Sequence, residues 1–301
     1  MLFEGTDRLY RTTRKKFRVV ECASCRLMRL DPRPGPDELR RYYPESYWFA
    51  PEPGAAGRLE EAYRRFVLRD HLGFVRRALK DAGEEGPVLD VGCGGGLFLR
   101  MLKEDGTRVA GMDFSARAAS IAWRGGVPAM CANLPTAPLR PASCAAITMF
   151  HVLEHLEDPY AYLEAARALL KPQGRLIVQV PNVASWQFLL LGENWSGLDV
   201  PRHLINFRAR DLENLLDAAG FQVLRRKHFS LRDNPAAFAT SVAPGLDPMA
   251  RRIRRVAESA NVKLWKDLIY FALVLAAVPF SVLEATCGAG ASVMVEARLK
   301  P

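Results

Sequence analysis

The stretch Pro87 to Leu97, PVLDVGCGGGL, limits what this chain can fold into more than any other. A short apolar run, Val88 to Val91, carries Asp90 inside it and then meets four glycines within five positions, Gly92, Gly94, Gly95 and Gly96. Phe98, Leu99, Met101 and Leu102 resume at helical spacing, so the pattern predicts a buried strand, a tight turn and a helix. Glycines reach positive φ and let a ligand lie against bare backbone, and the helix start beyond them presents N–H groups without partners. The turn therefore reads as a nucleotide-type binding loop.

Spacing selects among nucleotides. A dinucleotide loop of the G-x-G-x-x-G kind would need, counting from Gly92, a glycine at position 97, and leucine stands there. The order here is Asp90-x-Gly92-x-Gly94-x-Gly96, with Asp113 following Asp90 by 23 residues after a second apolar run, Val109 to Met112. This pattern resembles motif I and the acidic loop of class I S-adenosylmethionine-dependent methyltransferases. The resemblance implies a doubly wound α/β fold, a Rossmann-like, seven-stranded, mostly parallel sheet, with S-adenosylmethionine as cofactor held by Asp90, Gly92, Gly94, Gly96, Asp113 and Phe114. The chemistry is consistent: that donor offers an ammonium for a carboxylate to meet and a ribose diol for Asp113 to grip, and it has no pyrophosphate.

The rest of the chain agrees with such a sheet. Strands are predicted near 88–91, 107–112, 128–131, 144–149 and 175–180, and helices near 96–105, 115–124, 157–170 and 209–219. Regular alternation argues for parallel strands with helices on both faces and a ligand at the carboxyl ends of the strands. Before it, Leu59 to Leu79 carries the stripe of one amphipathic helix, and Pro51 to Gly57 reads as a linker. The organisation expected is an N-terminal cap over 1–57, a core over 58–229, a basic and apolar helical insertion over 230–290, and a final core strand over 291–301.

Candidate site residues gather at the predicted strand ends. Asn133 and Leu134 follow the third strand, where the resemblance implies a loop touching adenine. His151, Glu154 and His155 lie in HVLEHL, which resembles a signature of many such methyltransferases and of the metal-dependent O-methyltransferases of ubiquinone synthesis. In the latter the position matching His151 is acidic. His151 is read as contacting cofactor or substrate. Further on, LDVPRHL resembles the family block bordering the acceptor pocket and supplies Asp199, Arg202 and His203. An imidazole titrates near neutrality, so His203, or else His151, is the expected base for an acceptor hydroxyl. Asp199, Arg202, Trp195 and Tyr43 are the expected substrate-binding residues. No metal is included in this reading; Glu154 with His155, and Cys22 with Cys25, are the side chains that would hold one. Cys22 and Cys25 form a C-x-x-C resembling half of a zinc-ribbon-like leader, and residues 1–21 supply neither cysteine nor histidine to complete four ligands.

Composition bears on partners. The chain has 301 residues, a net charge of +9 and six scattered cysteines that suggest no disulfide framework. Eleven basic residues fall between Arg8 and Arg41, and Arg251, Arg252, Arg254 and Arg255 form a second knot. No nucleic-acid motif accompanies them, so nucleic acid is not the expected partner. Near the second knot, Leu268 to Leu283 is a sixteen-residue run without a charge before Leu283's acidic neighbour, shorter than the roughly 20 residues of a spanning helix. That helix is expected to lie on a membrane through 251–283, the alternative being burial against the domain or in a homodimer. With a charged rather than apolar N-terminus, the expected place is the cytoplasm, peripheral to the inner face of the membrane. The function expected is O-methylation of a hydrophobic or lipid-linked small molecule, such as a glycan, polyprenyl phenol or quinone precursor. The alternatives are a membrane-associated scaffold that has lost catalysis, and a nucleic-acid methyltransferase.

Overall fold

The computed structural model describes residues 1–48 and 54–301. The chain begins with three short antiparallel strands, β1 (Phe3–Thr6), β2 (Lys16–Glu21) and β3 (Met28–Leu30), followed by the short helix α1 (Pro36–Arg40). Phe17, Val19, Met28 and Leu30 point to one face and are buried, as period-2 alternation requires. The expected linker lies in part outside the described residues. Where one helix was expected over Leu59 to Leu79 there are two, α2 (Ala55–Val67) and α3 (Arg69–Ala82), parted at Leu68. The apolar stripe runs through both, which is why periodicity alone does not show the break.

The core then alternates: β4 (Val88–Val91), α4 (Leu97–Glu104), β5 (Val109–Asp113), α5 (Ala116–Arg124), β6 (Ala129–Cys131), β7 (Cys144–Phe150), α6 (Pro159–Leu169) and β8 (Leu170–Pro181). After β8 come α7 (Trp186–Leu191), the two-residue β9 (Ile205–Asn206), α8 (Ala209–Ala218) and β10 (Phe221–Lys227). The insertion supplies α9 (Asn234–Val242), α10 (Pro248–Ile253) and α11 (Ala260–Thr286), and β11 (Ser292–Leu299) closes the fold. The seven-stranded sheet runs β10-β11-β8-β7-β4-β5-β6, with β11 antiparallel between β10 and β8 and the five strands from β8 to β6 parallel. This is the doubly wound class I methyltransferase architecture expected from the sequence. Every residue of β4 is buried, and helices cover the sheet on both sides, as a parallel sheet demands.

The cap is not free of the core. β3 pairs with β9, so the cap sheet takes its fourth strand from the loop after α7, and Leu30 N–H donates to Leu204 O at 3.0 Å. In the insertion, the sixteen-residue apolar run is embedded in a 27-residue helix. Ser259 caps its start, and Pro279 sits inside without ending it. Val274, Ala277, Ser281 and Glu284 form its buried stripe, at the spacing of one helical face.

Candidate functional site

The carboxyl ends of the parallel strands carry two groups of side chains. In the first, Gly92, Gly94 and Gly96 all take positive φ, 76°, 52° and 74°. Gly92 allows a close approach: a Cβ there would come within 2.7 Å of Val152 Cγ2. Gly94 differs, because a Cβ there would meet nothing within 4 Å. Bare backbone thus faces open space beside the tips of β4 and β5, the shape an extended nucleoside needs. Asp113 braces this loop, accepting from Gly94 N–H at 3.0 Å and Ser115 N–H at 2.9 Å. Each carboxylate oxygen keeps a second lone pair for a ligand hydroxyl. Asp90 is buried and accepts from the Thr148 hydroxyl at 2.6 Å; burial, with Asp113 nearby, pushes its pKa up to about 7. A carboxyl in that state is ready to ionise when a cation arrives.

Phe114 is exposed beyond Asp113 and meets the cap edge to face, with ring centroids 5.5 Å from Tyr43 and 5.4 Å from Trp48. Together these rings roof the donor side. Asn133 is exposed, with its Oδ1 accepting from Tyr162 at 3.3 Å. Leu134, expected to flank adenine, is instead packed into the core, where it opens the 3₁₀ turn Leu134–Thr136.

The second group lies past β7 and β8. His203 Nδ1 is 2.8 Å from Gly197 O, and a carbonyl only accepts, so the ring proton sits on Nδ1 and Nε2 keeps its lone pair. His155 stands edge to face with His203, centroids 4.6 Å apart, and its Nδ1 faces Arg202 O at 3.1 Å and the Tyr43 hydroxyl at 2.8 Å. Burial and the neighbouring His203 lower the His155 pKa to about 4, so that ring is neutral. Glu154 is fully buried; its Oε1 meets His151, and its Oε2 has no hydrogen-bond partner. The ligating atoms of Glu154, His155 and His203 lie within 4.8 Å of one another, and one carboxylate with two imidazoles is a donor set a divalent transition ion accepts. Cys22 and Cys25 find no such set among the described residues.

His151 occupies a different state. It holds a left-handed backbone (φ 56°), its Nδ1 is 3.1 Å from Glu154 Oε1, and its Nε2 is 3.5 Å from Asp233 Oδ2. Burial alone would lower its pKa, but Asp233 and Glu154 outweigh it and raise the value to about 9. A ring held as a cation between two carboxylates has no lone pair to offer, which argues against His151 as the base. Asp233, from the insertion, also accepts from Gln179 at 2.7 Å and Ser230 at 2.6 Å. Burial raises its pKa, but Arg232 and the histidines hold it well below the ordinary carboxylate range.

Two expectations about substrate contacts need correction. Arg202 is wholly buried, ion-paired to Asp7 at 2.8 Å and Asp199 at 2.7 Å, and lies 4.3 Å over the Tyr10 ring. Its donors are spent on stapling the cap to the loop, and none faces an acceptor. Trp195 is 2% exposed and packs on Phe188, so it belongs to the core. Asp199 stays near the site, with Oδ2 4.0 Å from His203 Nε2, and so does Tyr43 through His155. Asp7, Thr148, Gln179 and Asp233 escaped sequence reasoning. Only Asp233-Asn234-Pro235 carries a local signal, that of a helix start, and it says nothing of a partner.

Comparison with known proteins agrees with this fold. The pattern of the methyltransferase-domain family matches residues 62–226. A ubiquinone biosynthesis O-methyltransferase of Idiomarina loihiensis is 27% identical over 201 residues, 62% of this chain and 80% of that one. A probable S-adenosylmethionine-dependent methyltransferase of Mycolicibacterium smegmatis is 31% identical over 176 residues, 57% and 63% of the two chains. Among solved structures, a SAM-dependent methyltransferase from Archaeoglobus fulgidus shares the fold with a TM-score of 0.52 at 17% identity, covering 81% of this chain and all of that one. The chain belongs to the class I S-adenosylmethionine-dependent methyltransferases.

Proposed function

We propose that this enzyme methylates a hydroxyl on a hydrophobic acceptor of the quinone-precursor type, a lipid-linked phenol that reaches the site from the inner face of a membrane. The observation that carries the reading is His203: its Nδ1 is anchored on Gly197 O, which leaves Nε2 free to take a proton beside the aromatic roof. Two kinds of support meet here, that geometry and the likeness to ubiquinone biosynthesis O-methyltransferases.

Bound S-adenosylmethionine supplies an electrophilic methyl group on a sulfonium. The chain's own contribution is alignment and one proton. Asp113 and the Gly94 backbone would hold the donor's sugar side, Asp90 would ionise against its ammonium, and Phe114, Tyr43 and Trp48 would exclude water. His203 Nε2 accepts the acceptor's hydroxyl proton as the oxygen turns nucleophilic, with Asp199 close enough to stabilise the imidazolium that results. Placing two reactants in line accounts for most of the acceleration, because intramolecular alignment reaches effective molarities of about 10⁵–10⁸ M.

The test is methyl transfer to soluble catechols followed by mass spectrometry. O-methylated product from the wild type and a turnover loss of about 10²–10⁴-fold in His203→Gln are expected. Donor binding without any product would favour the scaffold reading, and full turnover in His203→Gln would remove the base.

A further inference from the structure

The exterior of the insertion is unlike that of the rest of the molecule. Helix α11 is long and apolar enough to cross a membrane by length and composition, yet only 22% of its apolar window is buried. Its outward side chains include Trp265 at 66% exposure, with Leu268, Ile269 and Leu275 also exposed. This face does not end with the insertion. Tyr63 of α2 meets Phe271 of α11 edge to face, centroids 6.1 Å apart, and α2 adds Leu59 at 72% exposure and Phe66 at 52%. Two helices some two hundred residues apart in sequence thus present one apolar surface, larger than scattered exposed residues explain.

Its rim is cationic. Arg58, Arg69, Arg255 and Lys263 are exposed, and among the described residues none of them meets a carboxylate. The acidic residues near this rim are already paired, Glu60 with Arg64, Glu61 with Arg100, Glu258 with Lys266 and Arg251, and Asp267 with Arg251, and Glu284 farther along α11 is buried. A second copy of the chain docked through this same face would bring no free carboxylate to the rim. Anionic headgroups would, and exposed Trp beside Lys and Arg suits the boundary between headgroup and acyl chain. Arg251 itself is buried in its ion pairs and is not part of the surface, so the arginine knot contributes fewer contacts than its sequence suggests.

We infer that the joint face of α2 and α11 docks this enzyme in the plane of an anionic bilayer. The helix lies along the surface and does not span it, because the stripe from Val274 to Glu284 is turned inward and both flanks return to the same domain, α10 under the cap and β11 in the sheet. The helix α10, which leads into α11, touches the underside of the site's roof. Ser46 donates to Ile253 O of α10 at 3.4 Å, and Tyr47, which packs on Tyr10, meets Tyr43 at 5.1 Å between centroids. An acceptor leaving the bilayer beside α11 would therefore enter on the side where α10 meets the cap. This last point rests on the hydrophobic-acceptor reading; the docking itself does not.

Flotation of the full chain with vesicles, without donor or acceptor, tests the docking. Binding to phosphatidylcholine vesicles containing phosphatidylglycerol is expected to exceed binding to phosphatidylcholine alone and to weaken with salt. Leu268→Glu with Leu275→Glu should lower partitioning by at least about tenfold, and Arg255→Gln with Lys263→Gln by about fivefold per charge removed. All four residues are exposed, so donor binding and turnover of soluble catechols should stay at the wild-type level in both variants. Absence of flotation, flotation indifferent to both variants, or a dimer in light scattering that Leu268→Glu dissolves would each overturn the proposal. If soluble catechols are not methylated while flotation holds, the O-methylation reading fails and the docking stands.

Discussion

The two halves of the strand-end edge are built by opposite means. The donor half, at the tips of β4, β5 and β6, is made from residues 90 to 134, close together in sequence, and presents mainly backbone and two carboxylates. The acceptor half is assembled from Asp7, Tyr43, Glu154, Asp199, His203 and Asp233, side chains from the cap, two core loops and the insertion, tied by buried ion pairs. The first is a rigid local turn whose residues can be changed one at a time at the cost of the ligand. In the second, binding geometry and fold stability rest on the same bonds, so removing a charge should cost the fold before it costs the chemistry.

Four measurements would break or sharpen this contrast. The largest effect is expected in Arg202→Met, which leaves Asp7 and Asp199 buried without their cation; a loss of about 3–5 kcal/mol in denaturant unfolding is expected. A loss under about 1 kcal/mol would show that the staple is not structural. Next, His203→Gln should lose about 10²–10⁴-fold in turnover while its donor affinity, measured by calorimetry, is unchanged. Joint loss of both would mean that the halves are not separable. Asp113→Asn, in the donor half, should weaken donor binding by about tenfold to a hundredfold and cost about 1–3 kcal/mol of stability, less than Arg202→Met, because one of the two N–H groups it braces loses its acceptor.

The smallest effect is that of pH on Asp90. Its folded pKa, about 7, lies above the unfolded value, so the stability it contributes is complete at low pH and is lost as pH rises through about 7. A cationic ligand favours the ionised form, so donor affinity should rise a few-fold from roughly pH 6 to roughly pH 8. A flat profile that stays flat in Asp90→Asn would show that this carboxyl does not change its proton on binding.

How much of this was readable before the structure follows the same division. The strand, the glycine turn and the acidic tip of β5 are encoded by neighbours, so period and spacing reach them. The insertion over 230–290 was also readable, as a long stretch before the expected final core strand. What stayed hidden depends on distant partners. Arg202 reads like an acceptor-binding residue because nothing near it announces Asp7, 195 residues away. The length of α11 was underestimated because Lys266 and Asp267 break its apolar run, though each finds its counter-charge, in Glu258 and Arg251, without breaking the helix. His151 looks like a base until the insertion brings Asp233 to its other nitrogen.

The strands flanking the insertion lie side by side, with Lys227 opposite Met294. To the sheet, everything between them is one enlarged hairpin bend, and the architecture would close equally well around a tight turn. Swapping that bend is therefore a way to re-address the enzyme. A shortened version should keep its sheet, surrender its hold on Gln179 and His151, and report how far the chemistry of this fold can be retuned from a loop that the scaffold itself does not require.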